Sequence, residues 1–589
     1  MGYEVPAIPH RREPDPRIAA KPLHQRRGPR GHASGACANT EDDRIGSSRA
    51  GDHAGGARCR GRRGERSDRQ IQQGEQIVRT RDETVRSIAD RTVDLLVIGG
   101  GIIGAGIARD AALRGLSVAL VEQADFASGT TSRPTRLIHG GLRYLELFDF
   151  GLVRSDMRER EILLRIAPHL VFPLPFLLPL YRPSLVYQFK LRLGMQLYDW
   201  LSLDKSLPKR KYLDRAETLA AEPNLKPDGL TGAWRFYDAQ VPLVERLVVE
   251  NVVDAAAHGA LVLNHARATG YTREGDRVTG ATIRDAVAGS DVTIRARYTV
   301  NATGPWLDGT ISLLHPGTKP LLRLTKGIHL VTPRATEQAH VLFAESDGRL
   351  FFVVPWMDET IVGTTDTDYR GDPADAAPTE EDVRYLQAAA HRAFPNAPFD
   401  EILFTWAGVR ALVREEGVSE SEVSRKHALY DHEKRDGITG VLSVVGGKIT
   451  AYRAIAEEVT NAAVGKLRSS ASECRTADLP LPGAAENGDA TDLARIVAAD
   501  GALAAPVCPN EKVSGAELVY AVRHEWAMTL GDVLLRRTML GLRPCQGLDC
   551  IDRVADVVGA EIGWDADRRA AEIAAYRREI EPMRRFSVE

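Results

Sequence analysis

The sequence predicts a mixed α/β protein built around a nucleotide-binding βαβ unit, and three consecutive stretches carry that expectation. Val93-Asp-Leu-Leu-Val-Ile98 is a nearly continuous apolar run, as suits a parallel strand buried on both faces. Gly99-Gly-Gly-Ile-Ile-Gly104 follows, and then a helical stretch from Ala105 to Arg114 that Gly115 ends. Leu116-Ser-Val-Ala-Leu-Val121, closed by Glu122, supplies the second strand.

The remaining elements follow in chain order. Order starts at the amphipathic helix Arg81 to Asp90, just before the first strand. Residues 150–201 read as mostly helical, with a Pro-interrupted apolar stretch from Phe172 to Pro183. Residues 229–240 and 320–370 are rich in strand formers. Val244 to His258 reads as a helix, and Ala260-Leu-Val-Leu263 as a strand. Tyr298-Thr-Val-Asn-Ala-Thr-Gly304 is a strand running into a turn. Leu442-Ser-Val-Val445 is a late buried strand, followed by Gly446-Gly447 and a helix from Thr450. Pro and Gly mark a linker near residue 470, and residues 511–542 and 563–580 read as helices.

Composition narrows the class. The 589 residues fit two to four domains. With 43% hydrophobic and 27% charged residues, the whole chain is neither collagen-like, coiled-coil nor disordered. A net charge of −3 argues against a general nucleic-acid binder. Six Cys without a Cys-x-x-Cys pair indicate no disulfide framework, no metal site and a reducing compartment. No apolar run is long enough to span a membrane. The average conceals a break near residue 76. Residues 1–76 hold 15 basic and 10 acidic residues, a local charge of +5, which leaves −8 for the rest. They contain one aromatic, Tyr3, and one Leu, Leu23, too little apolar surface to offset the entropy of ordering. The expectation is a disordered basic arm or an overextended start.

A lone GxGxxG is weak evidence, but here it sits between a strand and a helix. Gly99 permits the tight turn, Gly101 lets a pyrophosphate approach the backbone, and Gly104 lets helix and strand pack closely. The helix N-terminus offers free N–H groups and the positive end of its dipole. Glu122, 18 residues after Gly104, can accept hydrogen bonds from ribose hydroxyls. Two features favour FAD over NAD. Ser128-Gly-Thr-Thr-Ser-Arg133, with Thr131 and Ser132, is a polar loop able to wrap a diphosphate. Gly304, Gly446 and Gly447 stand at late strand ends, where an extended flavin needs backbone contacts.

On these residues and their flanking runs, the chain closely resembles the FAD-dependent glycerol-3-phosphate dehydrogenases, within the D-amino-acid-oxidase-like flavoproteins. The matching runs are Asp94–Arg114, Phe126–Arg133, Leu137-Ile-His-Gly-Gly-Leu-Arg-Tyr-Leu145, Lys326-Gly-Ile-His329, Pro355–Asp358, Gly363-Thr-Thr-Asp366, Gly408-Val-Arg410 and Gly446-Gly-Lys448. Thr529-Leu-Gly-Asp-Val-Leu-Leu-Arg-Arg-Thr538 is similar to the family's helical cap domain. Departures are Pro134 and Arg136, where the family often has Ser and Lys. Paired Asp residues common near 241–246 are absent, so no substrate contact is expected there.

The resemblance implies a Rossmann-like FAD-binding domain interleaved with an antiparallel-sheet substrate domain, and a helical C-terminal domain. The flavoprotein body would run over 77–470, with FAD-binding segments near 91–150, 245–310 and 400–465. Substrate-binding segments would fall near 205–244 and 311–399, and the C-terminal domain over 471–589. Arg136, Leu137, His139, Gly140, Lys448 and Thr450 would join the FAD contacts. The implied reaction is oxidation of sn-glycerol 3-phosphate to dihydroxyacetone phosphate, by hydride transfer from C2 to flavin N5, with electrons passed to a membrane quinone.

The residues are chemically adequate for it. A phosphate dianion needs fixed cations, and Arg143, Arg410, Arg425 and Lys448 are the candidates, with Tyr144 beside them. His329 leads as the base for the C2 hydroxyl; the resemblance implies that Arg410 can polarise that oxygen, so the base stays open. Asp366 is read as a structural hydrogen-bonding partner. The segment Phe172–Trp200, with Arg182, Lys190 and Arg192 among aromatics, suits peripheral contact with the cytoplasmic membrane. The alternatives are a glycerol-3-phosphate oxidase using oxygen, an amino-acid or amine oxidase of the same fold, and a non-catalytic nucleotide-binding protein with a basic arm. No nucleic-acid partner is expected, and a homodimer stays open.

Overall fold

The computed structural model describes residues 80–141, 149–182, 192–198, 200, 206–414, 426–485 and 489–588. The helix Arg81–Asp90 opens this part. Thr80 starts it with a capping box, its hydroxyl taking the Glu83 N–H while the Glu83 carboxylate takes the Thr80 N–H.

The strand Thr92–Ile98 sits inside an eight-stranded sheet. Val118–Val121 and Ser290–Asn301 flank it in parallel, and Leu261–Leu263 and Val441–Val445 extend the parallel set outward. Continuous apolar runs belong in such strands because both faces are covered. One face meets the helices Ile102–Leu113, Val244–Ala257 and Tyr452–Leu467 through Leu95, Val97, Ile107, Val248 and Ile455. The other meets Arg81–Asp90 and the hairpin Ala266–Glu274/Arg277–Asp285 through Leu96, Ile88 and Ile283.

A second sheet, of ten strands, is antiparallel nearly throughout. Leu322–Pro333 pairs with Glu359–Gly363 on one side and Phe404–Val413 on the other. The short strand Leu137–Ile138, continuing from the loop after Glu122, joins the far edge of this sheet through Leu230–Gln240. That crossing brings the nucleotide-binding loop and the antiparallel strands to one place.

Three expectations need correction. Residues 150–201 are not mostly helical. The helix Phe150–Ile166 is there, but Phe172–Tyr181 is a strand in ten-residue register with Leu230–Gln240. Pro173, Pro175 and Pro179 lack the N–H a helix interior needs, and they take the less buried positions of the strand. For the same reason Phe172–Trp200 is not one exposed surface. Phe176, Leu177 and Leu178 are core residues, whereas Leu193 and Trp200 are exposed, and Phe189 and Lys190 lie outside the described residues. The expected helix over 511–542 is also divided. A strand Glu511–Ser514 comes first, then the helix Gly515–Glu525, which ends at Trp526 in the left-handed conformation (φ 57°). Thr529 caps a new helical start through Asp532. These pieces pack with Ile551–Ile562 and Ala566–Arg584 around Leu518, Leu534, Val554 and Tyr576.

Candidate active site

A cavity of about 950 Å³ opens at the carboxyl ends of the parallel strands. There Thr92–Ile98 runs into Gly99, Val118–Val121 into Glu122, Ser290–Asn301 toward Gly304, and Val441–Val445 into Gly446-Gly447, all lining it. In open α/β sheets this edge is where ligands bind.

The glycine turn is tight by necessity. A Cβ on Gly99, whose φ is 110°, would meet the Ala302 carbonyl oxygen at 2.5 Å, and one on Gly104 would sit on the Gly99 carbonyl. Gly104 therefore packs behind the cavity, and Gly101 faces into it. Gly101 is the N-cap of Ile102–Leu113 and gives no side-chain cap, and Thr131 takes only the Ile102 N–H at 3.2 Å. The rest of the helix's first turn keeps its donors for an anion. The Glu122 carboxylate accepts from Gly100 N–H at 2.6 Å and Ala124 N–H at 3.0 Å. Burial pushes its pKa up against those two bonds. An open helix start, a carboxylate one turn away and a continuous cavity reaching the antiparallel sheet together fit a long dinucleotide.

That sheet supplies the chemistry at the other end. His329 and Arg410 lie on the paired strands Leu322–Pro333 and Phe404–Val413, and both line the cavity. Two glycines clear their space. Gly363 stands opposite His329 in register, where a Cβ would strike the imidazole. A Cβ on Gly327 would strike the Arg410 guanidinium. The buried His329 ring lies 5.4 Å from Trp406 in a stacked geometry, and its Nε2 is 2.9 Å from the Thr135 hydroxyl. Its Nδ1 has no hydrogen-bond partner among the described residues. Burial, then the Arg410 and Arg136 cations, hold its pKa well below the ordinary imidazole range. Arg410 is aimed by Asp366 Oδ1 at 3.1 Å and by the Thr364 hydroxyl at 2.9 Å.

Other sequence-predicted residues divide. Leu137, His139, Lys448 and Thr450 line the cavity. The His139 Nδ1 takes the Gly141 N–H, and its backbone N–H donates to Thr450, so this pair fixes a loop. Lys448 pairs with Asp156 at 2.7 Å, and burial outweighs the lysine in raising the pKa of that aspartate. Ser132 and Gly140 fall outside the lining; a Cβ on Gly140 would run into Met157. Arg136 departs from the expectation of a cofactor contact. It is fully buried, bound at 2.9 Å through both terminal nitrogens to Glu245, and its guanidinium lies 4.9 Å from the Trp356 ring. Arg143, Tyr144 and Arg425 lie outside the described residues. Sequence reasoning missed Thr135, Thr364 and Arg349. Arg349 lines the cavity and donates to the Asp366 carbonyl. Nearness to His139 for Thr135 and membership of the Gly363-Thr-Thr-Asp366 run for Thr364 were the only signals; nothing local marks Arg349.

Comparison with known proteins agrees with this geometry. A family model described as FAD dependent oxidoreductase matches residues 94–453, and one described as the C-terminal domain of alpha-glycerophosphate oxidase matches residues 474–569. The fold and site are those of a flavin-dependent oxidoreductase, and FAD is the cofactor. A glycerol-3-phosphate dehydrogenase of Synechocystis sp. is 35% identical over 84% of this chain and 97% of its own. An aerobic glycerol-3-phosphate dehydrogenase of Staphylococcus aureus is 34% identical over 85% of this chain and 96% of its own. The FAD complex of the glycerol-3-phosphate dehydrogenase from Bacillus halodurans superposes with a TM-score of 0.67 at 28% identity, covering 85% of this chain and 97% of that one. The chain belongs to the glycerol-3-phosphate dehydrogenase family.

Proposed function

We propose that this enzyme oxidises sn-glycerol 3-phosphate to dihydroxyacetone phosphate and passes the electrons to a membrane quinone. The observation that carries the reading is the pair His329 and Arg410, on neighbouring strands and both lining a cavity also lined by the FAD glycine turn. Bound FAD supplies the acceptor, at N5, for the hydride that leaves C2.

The chain's own residues handle the proton and the charge. With its pKa depressed, His329 is neutral at physiological pH and able to accept a proton. Thr135 fixes the ring's orientation at Nε2. A phosphate dianion near Arg410 offsets that cation and draws the imidazole pKa back upward, so the base strengthens when substrate binds. Arg410, held by Asp366 and Thr364, presents its guanidinium to the alcohol oxygen or the phosphate. Lys448 adds charge, and Arg143, Tyr144 and Arg425 are assigned to the phosphate on the resemblance alone. Glu122 and the start of Ile102–Leu113 hold the ribose and pyrophosphate of the cofactor.

A lipid-soluble acceptor requires reach to a membrane surface. No helix among the described residues is long and apolar enough to cross one. Leu193 and Trp200, 60% and 62% exposed and next to Arg192, are assigned to peripheral contact at the cytoplasmic face. The C-terminal family model carries the name of an oxidase, which favours oxygen as the competing acceptor. Anaerobic mixing decides the substrate: glycerol 3-phosphate is expected to bleach the flavin, and bleaching by D-amino acids instead overturns the reading. Quinone-analogue reduction measured beside peroxide formation decides the acceptor.

A further inference from the structure

The run Thr529–Thr538 takes no part in the chemistry above, yet two of its arginines end in the nucleotide-binding half. We infer that Arg536 and Arg537 are positioning residues for FAD: through Asp125 they hold the loop that carries Glu122 in its cofactor-binding shape.

The loop after Val121 lines the cavity with Glu122, Gln123 and the residues from Ala127 to Thr131. Between these two groups of lining residues the chain turns inward at Asp125 and Phe126, both essentially without exposure. Asp125 is gripped from the C-terminal segment. Its Oδ2 accepts from Arg537 Nη1 and Arg536 Nε, each at 2.7 Å, and its Oδ1 from Arg537 Nη2 at 2.8 Å. Asn264 donates to the same Oδ1 at 3.0 Å and to the Trp526 carbonyl at 2.7 Å. Phe126 meets the Trp526 ring edge to face at 6.2 Å. The bidentate Arg537–Asp125 pair fixes a direction as well as a distance.

The loop needs such a grip. Ala127 has a φ of 67°, a left-handed conformation that an L side chain adopts only where its surroundings enforce it. Its N–H donates to the Gly100 carbonyl at 3.0 Å, and Gly100 N–H donates to Glu122. The strained residue, the glycine turn and the ribose-facing carboxylate are thus one hydrogen-bonded unit, anchored at Asp125. A second tie runs beside it, from Asp532 to the His265 ring at 2.8 Å, with the His265 N–H bonded to the Ala124 carbonyl. Asp125, His265 and Asp532 lie within 4.8 Å of one another, a spacing that also suits a metal ion, but the two guanidiniums already occupy these carboxylates.

Coupling of this kind is reciprocal: if the C-terminal segment stabilises the FAD-binding shape, FAD stabilises the segment's contacts. Hydrogen exchange of the wild-type protein, with FAD and after its removal, tests this directly. Amides of residues 526–538 are expected to exchange at least tenfold more slowly with FAD bound. Protection confined to residues 99–131 overturns the proposal. Arg537→Lys keeps the charge and loses the fork. It is expected to raise the FAD dissociation constant at least tenfold and to lower the melting temperature of the FAD-bound protein more than that of the stripped protein. Equal lowering of both, with unchanged FAD affinity, assigns Arg537 to structure alone and overturns the proposal. Should Arg537→Lys not fold, the exchange measurement on the wild type decides.

Discussion

The proposed base His329 is surrounded by neighbours from three separate stretches of the chain. Thr135, Gly363, Trp406 and Arg410 all touch or face it, and none is within 70 residues of it except Gly363. Replacing it with Asn keeps a similar size and removes the acceptor of suitable basicity. The expected result is a fall in kcat of about 10²-fold or more with FAD still bound, read by steady-state rates and the flavin spectrum. Because the folded-state pKa lies well below the usual 6.5, the free enzyme should show no acid limb from this group between pH 6 and 8. A pH profile of kcat/KM checks that. His329 and Arg410, which line the cavity, stood out in the sequence because each sits in a run that resembles the family's. Thr135, Gly327 and Gly363 were not, because their part depends on cross-strand register. The charge of Arg136 was visible, but its partner Glu245 stands 109 positions away, and nothing local announces a buried ion pair.

At the scale of elements, strands with continuous apolar runs and helices with clear ends were readable from sequence. Phe172–Tyr181 was not, since its prolines and apolar residues mark a broken helix and a pleated strand equally. The junction between sheet and C-terminal helices was also invisible. Glu359 begins the strand Glu359–Gly363, buried against Arg543, which also binds Asp358 and Glu511. Burial raises the Glu359 pKa to about 7 against the pull of Arg543. An acid whose folded pKa exceeds its unfolded value destabilises the fold as pH rises between the two, here from about 4.5 to about 7. Glu359→Gln removes that cost. It should therefore raise the unfolding free energy at pH 8 by an amount of order 1–3 kcal/mol, seen as a higher melting temperature, and the gain should vanish below pH 4.5. Thermal melts across that range measure it.

For the molecule as a whole, composition divides the chain near residue 76. The FAD-dependent oxidoreductase family matches residues 94–453 and the C-terminal domain matches 474–569, both after that division. A chain starting at Ile77 should keep the FAD content and turnover of the full chain within twofold, checked by absorbance and initial rates. Loss of both would place residues 1–76 in the working enzyme. The acidic remainder, at −8, gathers Arg267, Arg349, Arg410, Lys426 and Lys448 around one cavity, so its overall sign says little about the ligand it takes.

The reacting end of the cavity depends on two missing methyl groups. Gly327 and Gly363 carry no side chain for chemistry, yet each reserves volume beside the Arg410 guanidinium or the His329 ring. Inactivation therefore lies one carbon atom away at either position, with nothing removed from the reacting groups. Gly363→Ala should produce a protein that is folded and yellow but idle, so the colour of a purified preparation is no guarantee that it works.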